Sequence, residues 1–188
     1  MKKVLELKNG DILIIRHLTK SDVDGVWFNF NEVIDEGLYL PVFLPVKSQI
    51  EKDTWYINVK REKEICIIAE HKDLEKPYNI VGQCEISNVE WDAAAHVGVL
   101  GIIIRKKYRD NLIGRSLIDF AIHAAKKLNN KQKIILSSFS TNERALHLFR
   151  KLGFREIGVR KKQFLMNSHY IDEILMELWI DDYIKEHS

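Results

Sequence analysis

The amino-acid sequence predicts an α/β protein in which helices pack on the faces of one mixed sheet. Strand-like and helix-like periodicities alternate along the chain, and the apolar segment Val97–Ile104 is unbroken, as is typical of a central strand covered on both faces. That segment leads within a few residues into a helix pattern that begins at Ile113. The 188 residues are 46% hydrophobic and 30% charged with no change of composition along the chain, so we expect one domain over residues 1–188.

The first third of the chain predicts one strand and two helices. Asp11–Arg16 is strand-like, and apolar residues then repeat at three- and four-residue steps as far as Ile34, which indicates an amphipathic helix capped by Ser21. A second, less regular helix begins near Ser48. The connection between the helices, residues 38–45, is apolar and contains two prolines. We expect it to pack on the core, with a wall that faces a substrate as the alternative.

The middle of the chain predicts a hairpin, the central strand and a buried helix. Ile65–Glu70 and Asn79–Val89 are strand-like, and the polar connection between them suits a hairpin. After the central strand, apolar positions from Ile113 to Leu128 form a wide helical stripe. A stripe of this width indicates that the helix is well buried.

The last part of the chain predicts a strand, a short helix and a closing hairpin. Lys133–Ser138 is strand-like, and the helix after it has a capping box from Ser140 to Glu143 and ends at Gly153. Two further strand-like segments suit a hairpin, and these are Phe154–Phe164 and Tyr170–Trp179.

Composition and spacing argue against several classes of protein. A net charge of +2 does not indicate a nucleic-acid partner. The beginning of the chain does not resemble a secretory signal and no apolar run is long enough to cross a bilayer, so we expect a cytoplasmic protein without a membrane partner.

Cys66 and Cys84 lie in apolar strand-like segments, where we expect buried thiols rather than a disulfide. The histidines and cysteines lack metal-binding spacing, so no metal is expected. The apolar final strand is compatible with a homodimer.

The turn between the central strand and its helix has the features of an anion site. A buried strand that feeds directly into a helix presents the first free backbone N–H groups of that helix at the sheet edge, where the helix dipole also favours a phosphate. Four basic side chains surround this turn, and these are Lys106, Lys107, Arg109 and Arg115. A diphosphate ligand and a solvated basic turn that caps a structural helix explain the pattern equally well.

Two segments resemble the GCN5-related N-acetyltransferase (GNAT) family. The residues from Arg109 to Gly114 read R-D-N-L-I-G, which resembles the family's Q/R-x-x-G-x-G/A motif for acetyl-coenzyme A, with Leu112 at the first glycine position. The segment STNERALHLFRKLGF resembles a later strand-to-helix element of the family, in which an Asn at the position of Asn142 contacts the pantetheine arm. The resemblance implies a GNAT-type mixed, mostly antiparallel sheet with helices on both faces and a splayed central strand pair.

The resemblance also implies an activity and a set of cofactor residues. It implies transfer of an acetyl group from acetyl-CoA to a primary amine of a small molecule, a polyamine or a protein N-terminus, by direct attack in a ternary complex. Gly101 is expected to allow a bulge that frees backbone groups of the central strand. The implied cofactor-binding residues are Ile102, Ile103, Ile104, Arg109, Asp110, Asn111, Leu112, Ile113, Gly114, Arg115 and Asn142.

The general base and acid stay open at this stage. Many members of the family carry a Tyr where this chain has Phe149, and some carry a Glu where it has Ser137. The remaining catalytic candidates are Glu85 and His96 as bases and Tyr170 as an acid. The vacant positions also leave the alternative of a coenzyme A-binding module with weak or no catalysis.

Two further features have both a functional and a structural interpretation. Tyr39, in the apolar connection, is a candidate for the substrate cleft or for core packing. Glu32, Asp35 and Glu36 lie at the end of the first helix, where they either attract a cationic amine or form a solvated helix face.

Overall fold

The computed structural model describes residues 2–187 as one eight-stranded mixed sheet with helices on both faces. The strands are β1 (Lys2–Glu6), β2 (Ile12–His17), β3 (Ile65–His71), β4 (Ile80–Asn88), β5 (Val97–Ile104), β6 (Lys133–Phe139), β7 (Arg155–Met166) and β8 (His169–Trp179). The helices are α1 (Val23–Asp35), α2 (Gln49–Arg61), α3 (Ile113–Asn129), α4 (Glu143–Lys151) and α5 (Ile180–His187). The strand order is β1-β2-β3-β4-β5-β6-β8-β7, and all neighbours are antiparallel except β5 and β6. The predicted fold class is confirmed.

Two apolar layers lie on the two faces of the sheet. The helix α3 packs on one face through residues such as Leu117, and α1 and α2 pack on the other through Val26 and Val59. Cys84 is buried in the first layer and Cys66 in the second, and both are free thiols. The prediction that the cysteines are core residues is therefore confirmed.

The strands β5 and β6 separate along their length. They pair over three residues of each strand, and the last pair is Val99 with Ile135. The strand β5 continues to Ile104, and it remains in register with β4 over all of that distance. This confirms the splayed central pair. The bulge expected at Gly101 is wrong, because this glycine pairs in register with Glu85.

The separation also changes the burial of the central strand. Gly98 and Leu100 are buried, whereas Gly101 is exposed and Ile102–Ile104 is half-buried. The prediction that the whole strand is covered on both faces is therefore wrong for its second half. The unbroken apolar run reflects a strand that lies in the core at its beginning and faces an open gap at its end.

The start of α1 is held by a buried carboxylate rather than by Ser21. The Oδ2 atom of Asp22 accepts hydrogen bonds from the backbone N–H and the hydroxyl of Thr19, at 2.9 and 2.6 Å. The guanidinium of Arg16 on β2 donates to both carboxylate oxygens, at 2.7 and 2.8 Å. Asp22 therefore ties α1 to the sheet. The capping role predicted for Ser21 is wrong, because Thr19 and Asp22 form a capping box on the short 3₁₀ turn Lys20–Asp22 that contains Ser21, and Asp22 is the N-cap of α1.

We expect this carboxylate to make the stability of the fold depend on acid. Burial opposes the ionisation of Asp22, but the hydrogen bonds from Arg16 and Thr19 outweigh it and lower its pKa to about 2. Because the pKa in the folded state lies below the unfolded value of about 3.9, the stabilisation is complete above that pH and is lost as the pH falls toward 2. Asp22→Asn should lower the free energy of unfolding by about 3 kcal/mol or more at pH 7, measured in urea.

The matched control for this change is Asp24→Asn. Asp24 also pairs with a cation, Lys52, at 3.1 Å, but its side chain is 62% exposed. Exposed ion pairs contribute about 1 kcal/mol or less. Equal losses in Asp22→Asn and Asp24→Asn would show that the buried pair does not anchor α1.

The apolar connection between α1 and α2 lies on the surface. Phe43 is 68% exposed and Leu44 is 78% exposed, so the expectation that this connection packs on the core is wrong. The connection is anchored at its end, where the side-chain amide of Asn31 exchanges two hydrogen bonds of 2.9 Å with the backbone of Val46. The apolar stripes of α1 and α2 already cover this face of the sheet, which leaves no core surface for the connection.

The helix α4 begins at a different cap from the one predicted. The side-chain oxygen of Asn142 accepts a hydrogen bond of 3.3 Å from the backbone N–H of Ala145. The capping box from Ser140 to Glu143 is therefore wrong by two residues at its start. The predicted end is confirmed, because Gly153 has a φ of +88°, which favours glycine.

The predicted closing hairpin is confirmed, and its strands β7 and β8 have 12 and 11 residues. Asn167 and Ser168 form the turn with φ angles of +48° and +65°, the pattern of a type I′ turn.

Two elements lie outside the predictions from the sequence, the edge strand β1 and the final helix α5. The side chains of β1 are almost all exposed, so its sequence carries no apolar alternation.

Candidate active site

A cleft opens where β5 and β6 separate. Its walls are the end of β5, the beginning of α4, and α1 with the connection that follows it. The residues that line it are Val33, Tyr39, Ile102, Ile103, Ile104, Arg109, Asn142, Arg144, Ala145, Leu148 and Phe149. The lining is mostly apolar, with polar and cationic groups at Asn142, Arg109 and Arg144, so it suits a long ligand with both apolar and polar parts.

Five of the residues predicted to bind the cofactor line this cleft. They are Ile102, Ile103, Ile104, Arg109 and Asn142. The other six lie on the turn before α3 and in its first turn, and they are Asp110, Asn111, Leu112, Ile113, Gly114 and Arg115. The turn follows β5 directly, so both groups lie around the end of one strand.

The turn before α3 adopts a strained backbone at the position where the family motif has a glycine. Leu112 is the N-cap of α3 with a φ of +59°, and its side chain is 69% exposed. A left-handed conformation costs a residue such as leucine roughly 1–2 kcal/mol. The side-chain amide of Asn111 braces the turn by donating to the carbonyls of Tyr108 and Arg109, at 3.4 and 3.0 Å.

The first backbone N–H groups of α3 precede its hydrogen-bond ladder. The N–H of Ser116 makes the first intrahelical bond, to the carbonyl of Leu112 at 3.0 Å. The N–H groups of Ile113, Gly114 and Arg115 precede this bond and have no acceptor within the helix. Together with the helix dipole, they form a site that an anion can occupy.

Gly114 has a packing role in this turn. A Cβ atom added there would lie 3.0 Å from Cδ2 of Leu148 on α4 and 3.3 Å from Cδ1 of Ile104 on β5. The absence of a side chain therefore lets α3 approach both neighbours. The side at which a ligand would meet Gly114 is its backbone N–H.

Arg109 is held in place by groups of the protein. Its Nε donates to the carbonyl of Ile104 at 2.8 Å, and its two terminal nitrogens donate to the two carboxylate oxygens of Glu36. Its guanidinium also lies 4.9 Å from the ring centroid of Tyr39. Arg109 therefore clamps the connection after α1 to the end of β5.

This clamp corrects two expectations from the sequence. Arg109 is not a solvated basic side chain at the turn, because its side chain is only 12% exposed and Glu36 neutralises it. Glu36 is equally enclosed, at 13%, so it is neither free to attract a cationic amine nor part of a solvated helix face. Glu32 and Asp35 do lie on the exposed face of α1, as the structural interpretation expected.

Glu85 lies on β4 directly beside the opening. It pairs with Gly101 of β5 and with Cys66 of β3, so its side chain is on the face covered by α1 and α2. An added Cβ atom at Gly101 would meet no atom within 4 Å, which means that the space next to Glu85 is open. Burial raises the pKa of the Glu85 carboxyl to about 7, and the charge of Glu64 adds to this rise.

The other two catalytic candidates lie away from the cleft. His96 is exposed just before β5, and Ile104 lies eight positions further along the chain, about 26 Å away along an extended strand. Tyr170 is 64% exposed near the hairpin turn, where the ammonium of Lys162 lies 5.6 Å from its ring centroid. The structure therefore brings Glu85, but not His96 or Tyr170, to the opening between β5 and β6.

The side chain at the family's tyrosine position lines the cleft without a polar group. Phe149 is 4% exposed and its ring packs against Phe154, with 5.8 Å between the centroids. Ser137 lies exposed on β6. The hydroxyl-bearing residue that does line the cleft is Tyr39, on the opposite wall.

Four cleft residues were not identified as site residues from the sequence: Val33 on α1 and, on α4, the three residues Arg144, Ala145 and Leu148. The last three lie two, three and six positions after Asn142, in the first two turns of α4. Helical spacing from Asn142 was the signal that could have found Ala145 and Leu148, because positions three apart share a helix face.

The described residues contain neither a cluster of metal ligands nor a membrane-spanning helix. Among residues 2–187 there is no group of three or more His, Cys, Asp or Glu side chains that could hold a metal ion. No helix in this part of the chain is long and apolar enough to span a bilayer.

The fold is thus an α/β protein whose mixed sheet opens between two parallel strands, with a helix N-terminus at the mouth of the opening where an anion can bind. The family model described as "Acetyltransferase (GNAT) family" matches residues 35–154, and the chain belongs to this family. The resemblance found in the two motifs is thereby confirmed.

Individual proteins agree with this assignment. Spermidine N(1)-acetyltransferase of Escherichia coli K12 is 30% identical over 86 residues, which cover 46% of this chain and 46% of that protein. The chain thus spans about half the length of the curated relatives it matches first.

Two solved structures share the fold. A Streptococcus mutans UA159 protein has a TM-score of 0.75 and 27% identity, covering 88% of this chain and 98% of its own. A putative acetyltransferase from Salmonella typhimurium, solved with acetyl-CoA, has a TM-score of 0.80 over 90% of this chain and 95% of its own. Its identity of 16% shows the fold alone.

Proposed function

We propose that this protein is an N-acetyltransferase that moves an acetyl group from acetyl-CoA to a primary amine by direct attack in a ternary complex. The observation that carries the proposal is the cleft between β5 and β6, which has the free N–H groups of α3 at its mouth and a carboxylate of raised pKa beside it. Family membership supports the same activity.

The donor would lie along the unpaired edge of β5. In an antiparallel ladder alternate residues bond to each neighbour, so the β5 groups that do not bond to β4 face the gap left by β6. Backbone groups within Ile102–Ile104 would bind the pantetheine arm, and the side chain of Asn142 would bind it from the other wall. The N–H groups of Ile113–Arg115 would bind the diphosphate.

The acceptor would approach over Gly101, where the space beside Glu85 is open. The amine nitrogen forms a bond to the thioester carbon, the bond between that carbon and sulfur breaks, and the carboxylate of Glu85 takes the proton from nitrogen, directly or through a water molecule. The thiolate of coenzyme A takes its proton from solvent. A thiol of pKa about 8.5 leaves at neutral pH without a dedicated acid, which is consistent with Phe149 at the tyrosine position.

A second candidate function is a coenzyme A-binding module with weak or no catalysis. Phe149 and the exposed Ser137 favour it, because neither side chain can act as an acid or a base at its position.

A panel of amines separates the two functions. We expect thiol release from acetyl-CoA to exceed hydrolysis with at least one acceptor, and spermidine belongs in the panel beside amino acids, an aminoglycoside and a peptide N-terminus, because a relative is a spermidine acetyltransferase. When both substrates are varied, the double-reciprocal lines should intersect, as a ternary complex requires. Tight binding of coenzyme A by calorimetry without turnover on any acceptor would establish the binding module instead.

A further inference from the structure

Three polar side chains form a hydrogen-bonded row beneath α1. The Nδ2 atom of Asn29 on α1 donates to Oε1 of Gln83 at 2.9 Å, and Nε2 of Gln83 donates to Oε1 of Glu85 at 3.2 Å. Asn29 is 0% exposed and Gln83 is 4% exposed, whereas Glu85 is half-buried at the open end of the row. The row therefore leads from the interior to the carboxylate beside Gly101.

The order of donors in this row fixes the orientation of the middle amide. A glutamine amide can turn about its last bond and exchange its oxygen and nitrogen. Asn29 donates to the oxygen of Gln83, and the nitrogen of Gln83 accordingly faces Glu85. Without Asn29, Gln83 would be free to turn its oxygen toward the carboxylate, where it would repel the ionised form.

Stability alone does not explain the row. The Oδ1 atom of Asn29 is buried and has no hydrogen-bond partner. An unsatisfied buried polar atom costs about 1–3 kcal/mol, and an apolar side chain of the same size would avoid this cost. The neighbouring inward positions of α1, Val26 and Val33, are apolar and buried. An asparagine at this position is better explained by the hydrogen bond that it donates.

We propose that Gln83, held by Asn29, is a positioning residue that fixes the carboxylate of Glu85 beside Gly101 and keeps it able to accept a proton. The inference rests on the proposed function, in which Glu85 is the base. It adds two residues that touch neither substrate and act only through Glu85.

The groups around Glu85 define what the hydrogen bond does to its titration. Burial raises the pKa of Glu85, and the negative charge of Glu64, which follows α2, raises it further. The hydrogen bonds from Gln83 and from Trp55 on α2 lower it. The thiol of Cys66 faces Glu85 from β3, and burial raises the pKa of this thiol well above its ordinary value, so it stays neutral. The residue of β5 that pairs with Glu85 is Gly101, which has no titratable side chain.

The test is a set of three variants: Gln83→Met, Asn29→Leu and the double variant. In Gln83→Met the carboxylate loses a hydrogen bond to its ionised form, so the pH at which the rate is half-maximal should move upward and kcat at pH 7 should fall roughly tenfold. The dissociation constant of coenzyme A should not change. Asn29→Leu should change the profile in the same direction.

The double variant shows whether the two residues act in series and keeps the test independent of folding. Replacing both partners of a buried hydrogen bond by apolar groups is nearly neutral for stability, so the double variant should unfold close to the wild-type temperature. Its kcat should equal that of Gln83→Met, because Asn29 acts only through Gln83. A pH profile that stays unchanged in Gln83→Met and in the double variant would overturn the positioning role. If Glu85→Gln is also without effect, the base itself is wrongly assigned, so the two failures are distinguishable.

Discussion

Glu85→Gln is expected to lower kcat by about two to three orders of magnitude while the affinity for acetyl-CoA stays the same. General-base catalysis contributes roughly 10²–10⁴-fold, and glutamine keeps the size of the side chain but cannot accept a proton. The measurement is thiol release under saturating acceptor, with the dissociation constant of coenzyme A measured by calorimetry on the same sample. A kcat close to that of the wild type would show that the amine loses its proton elsewhere.

The pH dependence of the rate tests the same role of Glu85. Only the ionised carboxylate accepts a proton, and the pKa of Glu85 is raised to about 7, so the wild-type rate should rise as the pH passes through 7. This limb should be absent in Glu85→Gln. The control is Glu64→Gln, which removes a charge that raises the pKa of Glu85 and should therefore move the limb to lower pH. The Gln side chain can still accept the hydrogen bond of 3.0 Å that Glu64 receives from the backbone N–H of Asn88.

The raised pKa also predicts that Glu85 destabilises the fold at neutral and alkaline pH. The folded protein holds the proton of Glu85 more tightly than the unfolded chain, so the contribution of Glu85 becomes less favourable as the pH rises from the unfolded value toward 7. Glu85→Gln should thus be more stable than the wild type at pH 8. A variant that gains stability while it loses activity is the pattern expected for a group that serves catalysis.

The elements that depend on local sequence pattern were predictable. The apolar stripe of α3 and the turn of the closing hairpin each depend on one continuous segment of the chain, and both are found where they were predicted. The connection over residues 38–45 shows the opposite case. Its apolar composition suggests burial, but burial requires a free core surface. The helices α1 and α2 already occupy that surface, through contacts with strands that are distant in the sequence.

The site was predictable only in part, because sequence places residues on strands without saying what lies beside them. The two motifs located the residues around the end of β5, but the clamp between Arg109 and Glu36 joins positions 73 residues apart. Glu85 and His96 were both candidates because both lie on strand-like segments. Only the pairing of β4 with β5 shows that Glu85 lies beside the opening and that His96 lies at the other end of its strand.

Leu112→Asp is expected to weaken the binding of coenzyme A by roughly ten- to a hundredfold, whereas Leu112→Asn should leave it unchanged or stronger. Position 112 is the N-cap of α3, next to the N–H groups that we propose bind the diphosphate. A carboxylate there repels the diphosphate at a distance of a few Å, which is worth about 1–3 kcal/mol near a protein surface. Asparagine has the same shape without the charge, so the difference between the two variants isolates the electrostatic effect. Calorimetry with coenzyme A in low salt measures it.

The backbone at this position makes the comparison clean, because neither change should harm the fold. Leu112 has a φ of +59°, and Asn and Asp tolerate this left-handed region better than leucine does. Its side chain is 69% exposed, so no core contact is lost. Both variants should therefore unfold at or above the wild-type temperature, and the affinity difference between them should shrink in about 1 M salt, where the screening length falls to ~3 Å. Equal affinities of the two variants at low salt would place the diphosphate away from the start of α3. The proposed position of acetyl-CoA along β5 would then be wrong.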